Sequence, residues 1–253
     1  MSSSKPLVYF VIGSPGSGRR AVVRDLVQNG LGDEDRALVL ISAAEKAAPA
    51  DEVLGSLKNA AVVRWQWTPA GFPAAEIAGF TTIFLVADGL TSPVDQLEAL
   101  KPWLLAQGAE IARVLCVVDC QLAEKQPSLR LWFDACIHFA DVVFLAKREG
   151  VANKWLSDFI AHYKDQCFPC HFIHVKKGDF PNPALLLDPT PRRVSQYFDE
   201  GETAIQIEGL ETDDEEDEDD DTGFLPEEPY FIRQRSGRRE REVPDLKPYL
   251  SQE

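Results

Sequence analysis

Seven short apolar runs, at residues 7–12, 37–41, 61–65, 82–87, 114–118, 142–146 and 172–175, recur along the first two-thirds of the chain. Longer amphipathic stretches separate most of them, which is the pattern of strands joined by crossover helices. Several runs are apolar throughout, as strands covered on both faces require. The expected fold is therefore α/β, a mostly parallel sheet with helices on both faces. Helices are expected at 20–29 (ended by Gly30), 51–58, 93–107, 128–139 and 152–165, with Pro93 as a start signal and Gly108 as a stop.

The turn after the first run carries the most specific chemistry. Gly13-Ser14-Pro15-Gly16-Ser17-Gly18-Arg19-Arg20 leaves an expected strand and opens an expected helix, the context a phosphate-binding loop needs. Glycines let the backbone wrap a phosphate, and the helix start offers free N–H groups and a positive dipole end. Against the pattern G-x-x-x-x-G-K-[ST] both glycines fit, so the fold is expected to be P-loop NTPase-like. The last two positions depart from it. Arg19 stands for the lysine; it keeps a charge that can touch phosphate, though not the compact ammonium. Arg20 stands for the metal-binding hydroxyl and cannot ligate Mg²⁺, so the usual metal position between the β- and γ-phosphates loses a ligand.

Three further segments follow in order. Val86-Ala87-Asp88-Gly89-Leu90-Thr91-Ser92-Pro93 ends the fourth run. Cys116-Val117-Val118-Asp119 ends the fifth. Ala140-Asp141 precedes the sixth, which leads into Ala146-Lys147-Arg148-Glu149. With the loop, this set resembles the CobW-type GTPases, metal-chaperone and cobalamin-synthesis relatives of the urease and hydrogenase maturation GTPases. The resemblance spans residues 7–183 and implies GTP or GDP as ligand. Departures fall on the chemistry. The family's glutamate is Val86, with Asp88 as a weak catalytic candidate beside it. Its guanine-selecting Asn-Lys-x-Asp has become Ala146-Lys147-Arg148-Glu149, in which Lys147 keeps the stem over the base and Glu149 keeps a carboxylate. Its Cys-x-Cys-Cys metal motif is absent near Trp65-Gln66-Trp67-Thr68, and its first-switch Asn-Glu is not recognisable around Ser42-Ala43-Ala44-Glu45. The nucleotide-binding residues implied are Gly13, Ser14, Pro15, Gly16, Ser17, Gly18, Arg19, Arg20, Lys147 and Glu149.

Charge divides the chain. Fourteen acidic residues and no basic one lie from Asp199 to Asp221, nine of them consecutive from Asp213; without them the formal charge of −15 falls to −1. The body therefore carries no basic nucleic-acid footprint. The expected division is a CobW-like nucleotide-binding domain at 1–185, a Pro-containing and acidic disordered linker at 186–223, and a basic, aromatic tail at 224–253. One short helix is expected at 192–198. The acidic run reads as a solvated spacer, as a partner for Arg233–Arg241 or Arg19-Arg20, or as a recruiter of a basic protein or divalent cations. The tail has apolar anchors at Phe224, Leu225, Tyr230, Phe231 and Ile232, and either docks or stays mobile.

Cys167-Phe168-Pro169-Cys170-His171 invites a metal reading through Cys167 and Cys170. As a strand entry, however, it would point His171 and His174 to opposite faces, so packing is preferred. Five scattered cysteines suit a reducing cytoplasm. The run at 7–12 is shorter than a signal-peptide core, and no stretch approaches the roughly 18 apolar residues of a membrane span.

The expected function is that of a degenerate, non-hydrolytic P-loop protein acting as a regulatory or scaffold module through its surface and tail, with an unknown protein partner and a homodimer left open. The alternative is a working GTP-dependent metal chaperone in which Arg19, Asp88 and Glu149 do the remaining work. A kinase-like phosphotransferase finds no catalytic base.

Overall fold

The structure, a computed structural model, describes residues 5–199 and 227–250. All seven runs are strands of one parallel sheet: β1 (Leu7–Gly13), β2 (Ala37–Ser42), β3 (Ala60–Trp65), β4 (Thr82–Val86), β5 (Glu110–Asp119), β6 (Val142–Ala146) and β7 (His171–His174), in the order β3-β2-β4-β1-β5-β6-β7. Alternation along each strand sorts side chains to two layers. Val8, Phe10 and Ile12 of β1 enter one core, while Tyr9 and Val11 enter the other. The second core is covered by α1 (Arg19–Asn29), α2 (Pro49–Ser56) and α7 (Pro183–Leu186); the first by α3 (Pro93–Gln107), α4 (Cys120–Lys125), α5 (Arg130–His138) and α6 (Asn153–Lys164).

Local signals explain the boundaries. The Ser92 hydroxyl accepts the Asp95 N–H, Pro93 takes the first turn, and Gly108 closes α3 in the left-handed region at φ 64°. No helix joins β3 to β4; the connection at 66–81 instead lays Trp67, Phe72, Ala75, Ile77 and Phe80 on the first core.

Two sequence expectations change. The helix expected at 192–198 does not form: the Arg192 N–H donates to the buried Asp141 carboxylate at 2.6 Å, Arg193 pairs with Asp141, and the Tyr197 hydroxyl donates to the Glu98 carbonyl at 3.0 Å. These tertiary bonds hold the segment irregular against the body. The helix expected at 128–139 begins as a 3-10 turn, Pro127–Leu129, before α5.

Of the expected linker, residues 186–199 lie in the described structure, while the acidic run 213–221, Phe224 and Leu225 lie outside it. The tail docks. Glu228 accepts from the Ser195 hydroxyl at 2.6 Å and lies 2.9 Å from His138 Nε2. Arg233 pairs with Glu98 at 2.6 Å, and Arg239 pairs with Asp95 at 2.7 Å and with Glu98. The basic cluster thus answers α3. Tyr230 and Leu246 are buried in the first core. Among the described residues no helix is long and apolar enough to cross a membrane.

Candidate functional site

Strand order places the site. From β1 the chain runs out on one side to β2 and the edge strand β3, returns to β4 beside β1, then crosses to β5, β6 and β7 on the other side. A crevice therefore opens beyond the C-terminal ends of the central strands, where open α/β sheets bind ligands. The loop from Gly13 to Gly18 occupies it, directly between β1 and α1.

Gly13, at φ 147°, pairs with Val117 of β5, and a Cβ on it would stand 2.5 Å from the Val117 carbonyl oxygen. Gly16 and Gly18 are left-handed, at φ 71° and 100°. The Ser14 and Ser17 hydroxyls are buried and have no hydrogen-bond partner among the described residues. The Ser17 N–H closes the turn on the Ser14 carbonyl at 3.2 Å.

The two arginines define the electrostatics. Arg19 is not turned out toward solvent: its side chain is 3% exposed, donating to the Ala87 carbonyl at 2.6 Å and to Glu45 Oε1 at 2.5 Å. Glu45, 6% exposed, also accepts the Gly89 N–H at 3.0 Å, and Arg20 lies 3.6 Å from its second oxygen. Arg20 donates to Asp51 at 2.7 Å, and Arg64 of β3 donates to the same Asp51 oxygen at 2.6 Å. Three arginines and two carboxylates thus form one network at the loop. A Cβ on Gly89 would stand 2.7 Å from an Arg19 nitrogen and 2.8 Å from Pro15 Cδ, so the turn after β4 lies directly against the loop.

These contacts test the group that a P-loop fold implies. The position of the metal-binding hydroxyl holds a guanidinium already paired with two carboxylates. A second cation there would meet like charge and no oxygen ligand from this residue. The space between loop and turn, where a P-loop fold would grip a terminal phosphate, holds the Glu45 carboxylate and Pro15. Mg²⁺ does not fit the residues present, and a terminal phosphate would find its place taken by the Glu45 carboxylate.

The other expected site residues divide. Lys147, left-handed at φ 49°, reaches Asp119 at 2.9 Å, and its Nζ lies 3.8 Å from where a Cβ on Gly16 would be, so it does overhang the loop crest. Glu149 is exposed and is tied to α4 through its carbonyl, which accepts from Gln121 at 2.7 Å. Asp88 is buried, its carboxylate accepting the Leu90 N–H at 2.8 Å while Gln96 brackets its backbone; it builds the turn. Asp141 is buried at the opposite end of β6, accepting from Val114 N–H at 2.7 Å as a structural tie.

Cys167 is exposed, whereas Cys170 is buried in the first core, its thiol pushed up to about 12 by burial. Burial and the Arg192 and Arg113 charges lower the pKa of His171; burial and Arg148 lower that of His174. No group of three potential metal ligands occurs among the described residues.

Sequence reasoning missed Glu45, Asp51 and Arg64 as partners of the loop. The available signal was charge balance: two adjacent arginines in a buried loop require anions, and Glu45 and Asp51 follow the next strand.

No protein-family model matches the chain, and no curated protein does. Among solved structures, the Zn(II)-bound YjiA GTPase of E. coli is similar at 13% identity and a TM-score of 0.43, over 72% of this chain and 63% of its own. A Zn(II)-bound triple mutant of YjiA gives 14% and 0.47 over the same shares. The cell division protein FtsY of Thermotoga maritima gives 17% and 0.46, over 73% of this chain and 68% of its own. The chain thus spans under two-thirds of the YjiA structures. The fold stated above stands on this chain's own strand order and loop.

Proposed function

We propose that this chain is a non-hydrolytic P-loop protein, binding a nucleotide or phosphate at most, that acts as a regulatory or scaffold module. The observation that carries this reading is the commitment of Arg19 and Arg20. Phosphoryl transfer on this architecture depends on a basic residue facing the phosphates and a hydroxyl-held Mg²⁺ between them. Here the first is turned onto Glu45 and the second is replaced by a cation bound to Asp51. Asp88, buried with its carboxylate accepting the Leu90 N–H, serves to build the turn after β4. The docked tail and the long acidic segment supply surface for a protein partner.

A second reading, the GTP-dependent metal chaperone, draws on one retained feature: Lys147, held by Asp119, still overhangs the loop crest as a base-covering stem would. Phosphate release from GTP separates the two. The non-hydrolytic reading expects background release with and without Mg²⁺. Mg²⁺-dependent release that Arg19→Ala abolishes would establish the chaperone instead.

A further inference from the structure

Glu45 is held unusually well for a carboxylate on the connection after β2. One oxygen accepts both from the Arg19 guanidinium at 2.5 Å and from the Gly89 N–H at 3.0 Å; the other faces Arg20 at 3.6 Å. The donors come from two places in the chain, the start of α1 and the turn after β4, and they converge on one carboxylate. Two guanidiniums and a backbone N–H beside a helix start form a cradle for an oxyanion. The buried Ser14 and Ser17 hydroxyls, without partners among the described residues, add donors in the same loop.

We propose that Arg19, Arg20 and the Gly89 N–H form an oxyanion subsite of the class that takes a terminal phosphate, and that Glu45 is its tethered resident ligand. This rests on the non-hydrolytic reading of the loop. In nucleotide switches, the third phosphate and its Mg²⁺ order the flanking segments, which are released when it leaves. Here Glu45 stands for the phosphate and Arg20 for the metal, so the turn from Asp88 to Pro93 is held in its anion-bound arrangement without a nucleotide. The arrangement also faces the tail: Val243, Pro244 and Leu246 line a cavity of about 330 Å³ with Gly89, Leu90 and Ser92. A free oxyanion must compete with a carboxylate whose effective concentration is of millimolar order.

The test is hydrogen exchange in the peptide spanning Gly89, comparing wild type, Glu45→Ala and Glu45→Gln, each with inorganic phosphate, GDP or GTP. Wild type is expected to be protected and indifferent to millimolar phosphate. Glu45→Ala is expected to lose protection by about tenfold or more, the scale of a lost charged hydrogen bond, and to regain it with inorganic phosphate. Glu45→Gln keeps an acceptor without the charge and falls between, so it carries the test if the alanine variant does not fold. Unchanged protection in the variants, or loss that phosphate does not restore, overturns the proposal. Restoration by GTP and inorganic phosphate but not GDP supports the terminal-phosphate assignment; restoration by GDP overturns it. Turnover of GTP by wild type would instead sink the non-hydrolytic reading, a result read in a different assay.

Discussion

At the scale of single residues, the buried Arg19–Glu45 pair decides how the loop behaves. Removing one member of a buried pair strands the other charge, at a cost of about 3–5 kcal/mol, whereas replacing both with apolar groups is often neutral. Glu45→Ala is therefore expected to lower the urea midpoint far more than the double variant Arg19→Met, Glu45→Leu. Equal losses would show that the pair's charge is not what matters. The thiols give a second prediction. Cys116, Cys120, Cys136 and Cys170 are buried, and burial raises the last three, Cys120 and Cys170 to about 12; Cys167 alone of the five is exposed. Thiolate is the reactive form, so iodoacetamide at neutral pH should label one site, at Cys167, in the native protein and five after denaturation. Rapid native labelling at Cys170 would contradict the packing assigned to it.

At the scale of elements, the close approach of β1 to β5 fixes the loop's entry. A Cβ at Gly13 would strike the Val117 carbonyl, while one at Gly18 meets nothing within 4 Å and bears only the left-handed backbone. Gly13→Ala should cost about 1–3 kcal/mol through overlap that backbone cannot relieve, and Gly18→Ala less; urea unfolding of the two variants measures the difference, and the reverse order would contradict the geometry. Much of this level was legible beforehand. The strands at 7, 37 and 142 read correctly because both-face burial leaves them uniformly apolar, and α3 read to the residue because Pro93 and Gly108 punctuate it. The six-residue α4 escaped notice, being too short for a period and started by Asp119, a residue already given another role. The segment at 192–198 misled because buried Asp141, more than 50 residues away, outweighs its local helical pattern. For the same reason the loop was readable from glycine spacing but its partner Glu45, 26 residues on, was not.

At the scale of the whole molecule, the tail strap closes the chain back onto α3 and α5 through one buried carboxylate. Burial raises the Glu228 pKa, but hydrogen bonds from His138 and Ser195 outweigh it and hold the net value below the ordinary carboxylate range. A lowered folded pKa means that its stabilisation is complete above the unfolded value, near 4.5, and is lost as pH falls through the folded one. Tail amides should therefore exchange faster, relative to the intrinsic rate, as pH drops below that range, and Glu228→Gln should flatten the dependence; an unaltered profile in that variant would assign the effect elsewhere. The strap, the turn after β4 and the arginines that open α1 meet around Gly89, so the molecule's central property is a glycine-rich loop whose flanking charges are satisfied from within. Calorimetric titration with GTP, with and without Mg²⁺, tests this most directly. The predicted result is the same isotherm in both conditions, a flat trace in both included, because the position of the metal-binding hydroxyl holds the Arg20 guanidinium, which offers a cation no oxygen ligand. Tightening by about tenfold or more on adding Mg²⁺ would contradict it.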